Sequence, residues 1–268
     1  MKPPRGRPVI AMLLGAVFVV PLVFMVLGST RPPGLPPPDG FELLPESPTL
    51  GNYEIAGRFI PIVRQMFNSS MVVALAVPIS VVVASLTGFV IVRAERFPRF
   101  VLGVVLAVWL IPASLLWVPR FILFKYAGLT DSIWPLIAPS LIATSPFYVL
   151  LFALAYRRIN PQIFEAARLD GWSEFSIWRL VAFPLARATA LAVAVLAFVT
   201  HWANFVDPLI YLSDTDRFTL PLGLRALQTL EPANFPILLA AACMASLPPI
   251  LAFFLAQRAL FAKTLEVK

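Results

Sequence analysis

Two clusters of polar residues in this sequence are candidates for chemistry, and both interrupt stretches of apolar residues. One is EAARLDGWSEF, residues 165–175, which carries the carboxylates of Glu165 and Asp170. Five residues of α-helix turn through about 500°, so on a helix these two side chains would point about 140° apart. That geometry disfavours a paired-carboxylate site for general acid–base catalysis. The other cluster comprises His201, Trp202, Asn204 and Asp207.

The sequence holds none of the patterns that identify common catalytic or metal centres. Ser145 and His201 are a nucleophile and a base by type, yet neither lies in a G-x-S-x-G or related motif. The chain has one histidine and one cysteine, Cys243, which excludes an internal disulfide, a cysteine-based cluster and a histidine pair on a metal. No G-x-x-x-x-G-K-[ST] loop is present, so the sequence lacks the phosphate-binding motif with which many ATPases bind and hydrolyse ATP. We therefore predict no catalytic residue, no metal site and no enzymatic activity.

The elements that must position the polar clusters are membrane spans. Hydrophobic residues make up 59% of the 268 residues, charged residues 13%, and the mean hydropathy is +0.85, far above that of a soluble domain. A helix needs about 20 apolar residues to cross a hydrocarbon core of about 30 Å. The pattern predicts an all-α membrane protein with six transmembrane helices. The six runs that lack Asp, Glu, Lys and Arg are 9–28, 71–92, 100–119, 132–156, 188–206 and 235–257.

These runs divide the chain into an N-terminus, a first span, a loop, a five-span core and a tail. The first run follows several basic residues, so a signal peptide is the alternative, but its 20 residues exceed the roughly 7–15 apolar residues of such a segment. A proline-rich spacer, RPPGLPPPDG, opens the loop that follows. The predicted divisions are 1–8, 9–28, 29–70, 71–258 with a loop at 157–187, and 259–268.

Basic residues concentrate at alternate ends of the runs, and this sets the predicted orientation. With both termini in the cytoplasm, the cytoplasmic segments carry 14 Lys and Arg against 5 acidic residues, and the external segments carry 7 against 9. This asymmetry is what the positive-inside rule expects. The high isoelectric point therefore reflects topology, and we expect membrane lipid rather than nucleic acid around the chain.

The first polar cluster lies in the longest predicted cytoplasmic loop, which has the signals of two short helices. Asn160 is a favourable N-cap, and Pro161 is a residue favoured at the first helical position. A helix then extends to Leu169, and Gly171 is placed to end it in the left-handed conformation. A second helix is predicted from Trp172 to Phe183, ahead of a proline.

One face of the first of these helices is narrow and apolar. Ile163, Ala166 and Ala167 lie at positions i, i+3 and i+4, and such small residues let another protein approach closely. The same spacing fits an amphipathic loop that lies on the bilayer surface or packs on its own bundle. Spacing alone leaves both interpretations open.

The segment IFEAARLDGWSEFSIWRLVAFPL resembles the cytoplasmic coupling loop of binding-protein-dependent ABC import permeases, with its Glu-Ala-Ala and Asp-Gly elements. Further stretches resemble the sugar-type branch of that family, in particular the second permease of maltose-type transporters. These stretches are IPASLLWVPRFILFKYAGLTDSIWPLIAP, WANFVDPLIYL, FTLPLGLRAL and LAQR. The similarity covers roughly residues 50–260 and implies a six-span permease bundle with a cytoplasmic coupling helix.

The resemblance implies a transmembrane subunit of an ATP-driven importer in the inner or plasma membrane of a prokaryote. ATP and Mg would be bound by a dimer of partner ATPase subunits, so we expect no cofactor in this chain. A second permease and an external solute-binding protein that delivers a sugar or related polyol are the other expected partners. The residues implied to dock on the ATPase are Glu165, Ala166, Ala167, Asp170 and Gly171.

The second polar cluster lies at the end of the fifth run and is the candidate substrate pathway. Polar groups at membrane depth usually face a cavity or the bundle interior, so His201, Trp202, Asn204 and Asp207 are expected to line a path. A hydroxyl-rich solute would stack on Trp202 and bind Asn204. The alternative role is hydrogen bonding between helices. The alternative function is a secondary transporter for a small polar solute, although the six runs lack the ionisable residues that usually couple ions in such proteins.

Overall fold

The computed structural model describes residues 7–38, 40, 45, 47–93, 98–142 and 145–261. These residues form fourteen α-helices, two 3-10 turns (Ala138–Ile142 and Thr215–Arg217) and one π turn (Trp178–Ala182), with no strand among them. The predicted all-α class is confirmed. The helices are α1 (Arg7–Ser29), α2 (Gly51–Phe59), α3 (Ile62–Arg93), α4 (Pro98–Leu110), α5 (Ala113–Tyr126), α6 (Trp134–Ile137), α7 (Pro146–Arg157), α8 (Pro161–Leu169), α9 (Glu174–Ile177), α10 (Phe183–Leu185), α11 (Arg187–Trp202), α12 (Val206–Tyr211), α13 (Leu220–Leu230) and α14 (Phe235–Phe261).

Each of the six apolar runs lies on helical segments of this series. Three segments are long and apolar enough to cross a membrane. Two further pairs of helices are long and apolar enough only if the two helices of each bent pair count as one span. The chain is therefore a multi-pass helical membrane protein. The three segments are Ile62–Arg93, Trp134–Arg157 and Phe235–Gln257; the pairs are Arg99–Leu110 with Ala113–Tyr126, bent by 94°, and Glu174–Leu185 with Arg187–Trp202, bent by 82°; Gly15–Ser29 is a shorter apolar helix.

The single span predicted over 100–119 is a bent pair in the structure. Helix α4 ends at Leu110, and α5 begins at Ala113 after a break at Ile111 and Pro112. Proline disfavours the helical conformation of the residue before it and has no N–H to donate, which explains where the break falls.

The segment predicted as an external loop, 29–70, contains helix in its second half. Helix α2 spans Gly51–Phe59, and α3 begins at Ile62 rather than at residue 71. Residues 31–38 of the proline-rich spacer form neither helix nor strand, as predicted.

The chain divides into two compact units, and the first comprises residues 1–66 and 220–248. In this unit the buried side-chain amide of Asn52 donates to the carbonyl oxygens of Ser29 (2.8 Å) and Arg31 (2.6 Å), which lie at the end of α1. Carbonyls at a helix end lack partners within the helix, so Asn52 joins α2 to α1 by satisfying them. Helix α13 packs with Gly223 against the buried Gln65, where a Cβ atom would find no room.

The second unit comprises residues 67–219 and 249–268 and holds an extended apolar core. Val149 and Phe152 of α7 and Val193 and Ala197 of α11 are fully buried in it. Side chains of α3, α4 and the α8–α10 segment complete this core. Both polar clusters found in the sequence belong to this unit.

Two loops of the second unit are joined through Asp131, which has a φ of 58° in the left-handed region. The Asp131 N–H donates to the Tyr211 carbonyl (2.8 Å), and its carboxylate accepts the N–H groups of Ser213 (3.0 Å) and Asp214 (3.2 Å). Arg217 pairs with the same carboxylate at 3.7 Å. We call these five residues the loop clasp. The Ser213 N–H lowers the pKa of Asp131 most, burial opposes it, and the Asp214 N–H and the Arg217 charge lower it further.

The loop clasp gives a pH-dependent contribution to stability. Because the pKa of Asp131 is lower in the folded protein, this contribution is complete above the pKa of an unfolded aspartate, about 4, and is lost as the pH falls through the folded value. Asp131→Asn should lower the midpoint of thermal unfolding at pH 7 and have a smaller effect near pH 3, in detergent solution. An equal effect at both pH values would contradict the role assigned to the charge.

Candidate functional site

Helix α8, the first helix of the predicted coupling loop, begins and ends where its sequence signals placed it. The side chain of Asn160 accepts the N–H of Gln162 at 3.0 Å, and Pro161 occupies the first turn. This bond satisfies one of the amide groups that a helix start leaves without a partner. The predicted helix from Pro161 to Leu169 is confirmed.

Gly171 ends α8 in a two-bond turn. Its φ is 83°, its N–H donates to the Arg168 carbonyl (3.0 Å), and the Trp172 N–H donates to the Ala167 carbonyl (3.1 Å). This is the pattern of the Schellman motif, in which glycine takes the left-handed position without the penalty that a Cβ atom brings. The turn fixes the direction in which the chain leaves α8.

The second helix of the loop begins later than predicted. Ser173 is its N-cap, since the Ser173 hydroxyl accepts the Ser176 N–H at 3.2 Å, and helix starts at Glu174 rather than at Trp172. Glu174 also pairs with Arg168 of α8 at 2.5 Å across the turn. The Arg168–Glu174 ion pair and the Ser173 cap thus help to fix the angle between the two helices. A half-exposed ion pair of this kind contributes little to stability by itself.

The second helix also continues through Pro184 to Leu185, where the sequence predicted that it would stop. The Phe183 N–H donates to the Trp178 carbonyl, five residues back, in the π turn. A proline ring in a regular α-helix clashes with the carbonyl four residues earlier, and the wider π turn directly before Pro184 changes that spacing. The helix pair therefore consists of α8 and of the continuous segment Glu174–Leu185.

The five predicted docking residues do not share one exposed face. Glu165, Ala166, Asp170 and Gly171 are exposed, but Ala167 is only 9% exposed and packs into the protein's own core. Ala167 therefore lies outside the exposed face of α8, and the docking role of the five residues stays a prediction. Spacing on a helix identifies neighbours but not which side the rest of the fold covers.

The inner face of α8 is anchored in an aromatic cluster. Phe164 is 2% exposed and contacts the ring of Phe89 edge-on, with 6.2 Å between centroids, and the Arg93 guanidinium lies 4.7 Å from the Phe164 centroid. Edge-on aromatic pairs and cation–π contacts each add to the stabilisation that burial gives. Helix α8 is thus fixed to the C-terminal end of α3, where Phe89 and Arg93 lie.

The second helix of the pair is anchored by three hydrogen-bonded side chains that we call the Ser85 triad. The Trp178 Nε1–H donates to the Ser85 hydroxyl (2.9 Å), and the Ser85 and Tyr156 hydroxyls share a hydrogen bond of 2.5 Å. All three residues are buried, and they belong to the π turn, to α3 and to α7. Buried polar groups that all find partners fix a single arrangement of the elements that carry them.

Helices α3 and α7 approach closely beside the triad because residue 88 is glycine. A Cβ atom on Gly88 would lie 2.8 Å from the Phe152 Cβ, 2.9 Å from the Ala153 nitrogen and 3.0 Å from the Val149 oxygen. Two of these atoms belong to the α7 backbone, which cannot move aside alone. The close crossing brings Ser85 and Tyr156 within hydrogen-bond distance.

Of the four residues predicted to line a substrate path, the structure places one, His201, at a polar cavity. The cavity has a volume of about 230 Å³ and lies among α3, the first 3-10 turn, α7 and α11. Hydroxyl groups dominate its lining. Isolated serine and threonine residues within the apolar runs were the sequence signal that could have indicated these positions, and the prediction based on the cluster around His201 did not use it. The lining residues are Ser80, Ala84, Ser140, Ser145, Tyr148, Thr200 and His201.

The other three predicted pathway residues are engaged elsewhere. Trp202 is 7% exposed and stacks on Phe198, with ring centroids 5.7 Å apart. Asn204 donates to the Asp207 carboxylate (2.9 Å), and that carboxylate lies 3.5 Å from the Arg120 guanidinium. The Trp202 ring is in contact with Phe198 here, and the stacking of a solute on it stays a prediction. Asn204 and Asp207 belong to an ion-pair network at the start of α12.

The second unit thus combines a helix pair anchored through Phe164 and Trp178 with a polar cavity among α3, α7 and α11. Residues 55–265 match the family model described as "Binding-protein-dependent transport system inner membrane component". The match covers most of the chain, and the chain belongs to this family.

Relatives and a solved structure agree with that assignment. The chain is 29% identical over 265 residues to the arabinooligosaccharides transport system permease protein AraQ of Halalkalibacterium halodurans, covering 95% of this chain and 94% of AraQ. It is 27% identical over 249 residues to the lactose transport system permease protein LacG of Rhizobium radiobacter, covering 90% and 87%. A bacterial ABC transporter that imports the acidic polysaccharide alginate has a chain of the same fold, with a TM-score of 0.76, 18% identity and coverage of 96% and 98%.

Family membership makes the chain a permease of an ABC importer and a multi-pass inner-membrane protein, rather than an enzyme. The alternative of a secondary transporter finds no support, because the family belongs to binding-protein-dependent transport systems.

Gly88→Leu should force α3 and α7 apart and lower the stability of the permease by about 1–3 kcal/mol, as overpacking of a tight contact does. Gly103→Leu is the matched control, because Gly103 is an exposed helical glycine with nothing within 4 Å of an added Cβ atom. Thermal unfolding of the detergent-solubilised variants, followed by gel filtration, measures both. Equal midpoints for the two variants would show that the crossing at Gly88 tolerates a side chain.

Proposed function

We propose that this chain is one of two permease subunits of an ATP-driven sugar importer and that the helix pair Pro161–Leu185 docks on a partner ATPase. In this proposal a dimer of ATPase subunits binds ATP and Mg, and an external solute-binding protein delivers the solute. The observation that carries it is the two-sided character of the helix pair. Its inner face is locked into the core through Phe164 and Trp178, while Glu165, Ala166 and Asp170 remain exposed.

The proposed mechanism follows from how the helix pair is attached. Closure of the ATPase dimer on ATP pushes the exposed face of the pair. Because the Ser85 triad joins the pair to α3 and α7, those two helices move with it. Rigid elements with two discrete arrangements are the physical means by which distant sites are coupled.

The same two helices that hold the triad also line the polar cavity. Helix α3 carries Ser80 five residues before Ser85, about 7.5 Å along the axis, and α7 carries Tyr148 eight residues before Tyr156, about 12 Å along the axis. A tilt of α3 and α7 therefore alters the cavity. This links ATP-driven motion in the cytoplasm to a change of access in the membrane.

A sugar is the proposed class of solute, because AraQ and LacG are named for arabinooligosaccharides and lactose. We further propose that both termini and the loop 157–187 are cytoplasmic, as the charge asymmetry of the sequence predicts.

The docking role is tested at Gly171. The added Cβ atom at this position meets nothing within 4 Å, so a substitution acts through the backbone conformation alone. Gly171→Val places a β-branched residue in the left-handed region at a cost of about 1–2 kcal/mol or more, whereas asparagine tolerates that region. We expect Gly171→Val to reduce co-purification of the ATPase subunit and solute uptake, with normal amounts of permease in the membrane, and Gly171→Asn to retain both.

Normal ATPase retention and uptake in Gly171→Val would show that the helix pair is not the docking element. A wild-type permease that brings down no ATPase from its native membrane would instead contradict the proposed assembly as a whole.

Orientation is tested with single cysteines. In a Cys243→Ser background, Pro37→Cys should react with an impermeant thiol reagent applied to the outside of intact cells, and Arg158→Cys should react only after the membrane is permeabilised. Both positions lie in segments that the structure leaves outside long apolar helices. Labelling of Arg158→Cys but not of Pro37→Cys in intact cells would invert the topology.

A further inference from the structure

The polar cavity beside His201 contains groups with spare hydrogen-bonding capacity. His201 Nε2 lies 3.5 Å from the Ser80 hydroxyl and 3.4 Å from the Ser140 hydroxyl, at the outer limit of a hydrogen bond. The Ser145 hydroxyl stands at the start of α7 and makes no capping bond to that helix. Polar groups in the interior of a membrane protein are costly without partners, so the two long contacts of His201 and the Ser145 hydroxyl favour a further partner in the cavity.

Tyr148 and Thr200 form a second, better satisfied side of the cavity. Their hydroxyls are 3.1 Å apart, and the Thr200 hydroxyl also donates to the Leu196 carbonyl at 2.9 Å. The Tyr148 and Thr200 oxygens still have lone pairs available, because a hydroxyl accepts two hydrogen bonds besides donating one. The cavity therefore presents donors and acceptors from several directions.

The chemistry of the lining selects for a neutral ligand. Among the described residues that line the cavity, five of seven carry a hydroxyl, one carries an imidazole, and none is Asp, Glu, Lys or Arg. Carboxylate and phosphate groups are usually held by arginine, lysine or several fixed N–H groups, which this lining lacks. Asp207 and Arg120 lie in the same unit but neutralise each other at 3.5 Å. Hydroxyls that both donate and accept match the hydroxyls of an uncharged sugar.

The size of the cavity limits how much of a saccharide it holds. Its volume of about 230 Å³ is several times the roughly 30 Å³ that one water molecule occupies in the liquid. It is smaller than the roughly 300–1,000 Å³ of pockets that enclose a whole drug-sized ligand. One sugar ring, rather than an oligosaccharide, suits this space.

We propose that this cavity is a subsite of the permease for a single ring of a neutral saccharide, held by Ser140, Ser145, Thr200 and His201. The proposal rests on the sugar-transport function proposed above and adds that this subunit itself contacts the solute and discriminates against acidic sugars. Residues of α3 and α7 at the cavity would exchange partners with the sugar as those helices move.

The test uses the assembled complex in nanodiscs, with Ala84→Cys in a Cys243→Ser background, because Ala84 lines the cavity without supplying a hydrogen bond. The rate at which a small uncharged thiol reagent modifies the new cysteine is measured alone, with lactose, with arabinooligosaccharides and with alginate oligosaccharides of similar length. A neutral saccharide present at tenfold its dissociation constant should slow the modification about tenfold. Alginate oligosaccharides should have little effect.

Two threonine variants separate binding from general damage to the helices. Thr200→Val removes a lining hydroxyl, whereas Thr87→Val removes a hydroxyl that likewise donates to the carbonyl four residues back, in α3, but does not line the cavity. Loss of one neutral hydrogen bond should weaken protection by the neutral saccharide roughly three- to tenfold in Thr200→Val. Protection in Thr87→Val should match that of the parent.

Each result decides between definite alternatives. If neither neutral saccharide protects the cysteine, the cavity holds water only and the subsite is wrong. Equal protection by alginate oligosaccharides would overturn the selection for neutral sugars. Equal effects of the two threonine variants would remove Thr200 from the site. In all three cases, retention of the ATPase by the same complex leaves the proposed transport function intact.

Discussion

The hydroxyl of Ser85 is the point at which the helix pair Pro161–Leu185 meets the apolar helices α3 and α7. It accepts the indole N–H of Trp178 and shares its other hydrogen bond with Tyr156, all in a buried setting. In such a setting an unpaired group costs far more than a satisfied one gains, so the three side chains hold one another in place. Gly88, one turn away, permits the approach of α3 and α7 on which this arrangement depends.

Local signals made much of the helix pair predictable. The cap at Asn160, the end at Leu169 and the left-handed glycine at 171 each depend on a few neighbouring residues, and each is found where the sequence placed it. What lies beneath α8 depends instead on residues far away in the chain. The burial of Ala167 follows from the position of α8 on the core of the second unit, and no periodicity within α8 reveals which of its faces that core covers.

The difference between local signals and distant contacts also explains which features of the membrane helices could be predicted from the sequence. Each apolar run pointed to helical segments, because span length is set by the bilayer. The runs did not reveal α2 and α13, the 94° break at Pro112 or the 82° bend before α11. His201 was found from its type alone. Its neighbours in the cavity, Ser80 and Ser140, come from runs that are 121 and 61 residues away, and serine is too common in membrane helices to mark a site by itself. Trp202 packs on Phe198, and the sequence could not reveal this contact because an aromatic residue beside a polar cluster serves packing as readily as binding.

The π turn at Trp178–Ala182 sets a direction as well as accommodating a proline. A π turn amounts to one extra residue within a helix, and each residue of an α-helix corresponds to about 100° of rotation. With one residue fewer, the helix after the turn would face about 100° away, and the 82° bend into α11 would point elsewhere. The direction of α11 in the bilayer therefore depends on an extra residue that lies outside α11. An insertion or deletion between Trp178 and Arg187 would change that direction, which constrains how the length of this segment can evolve.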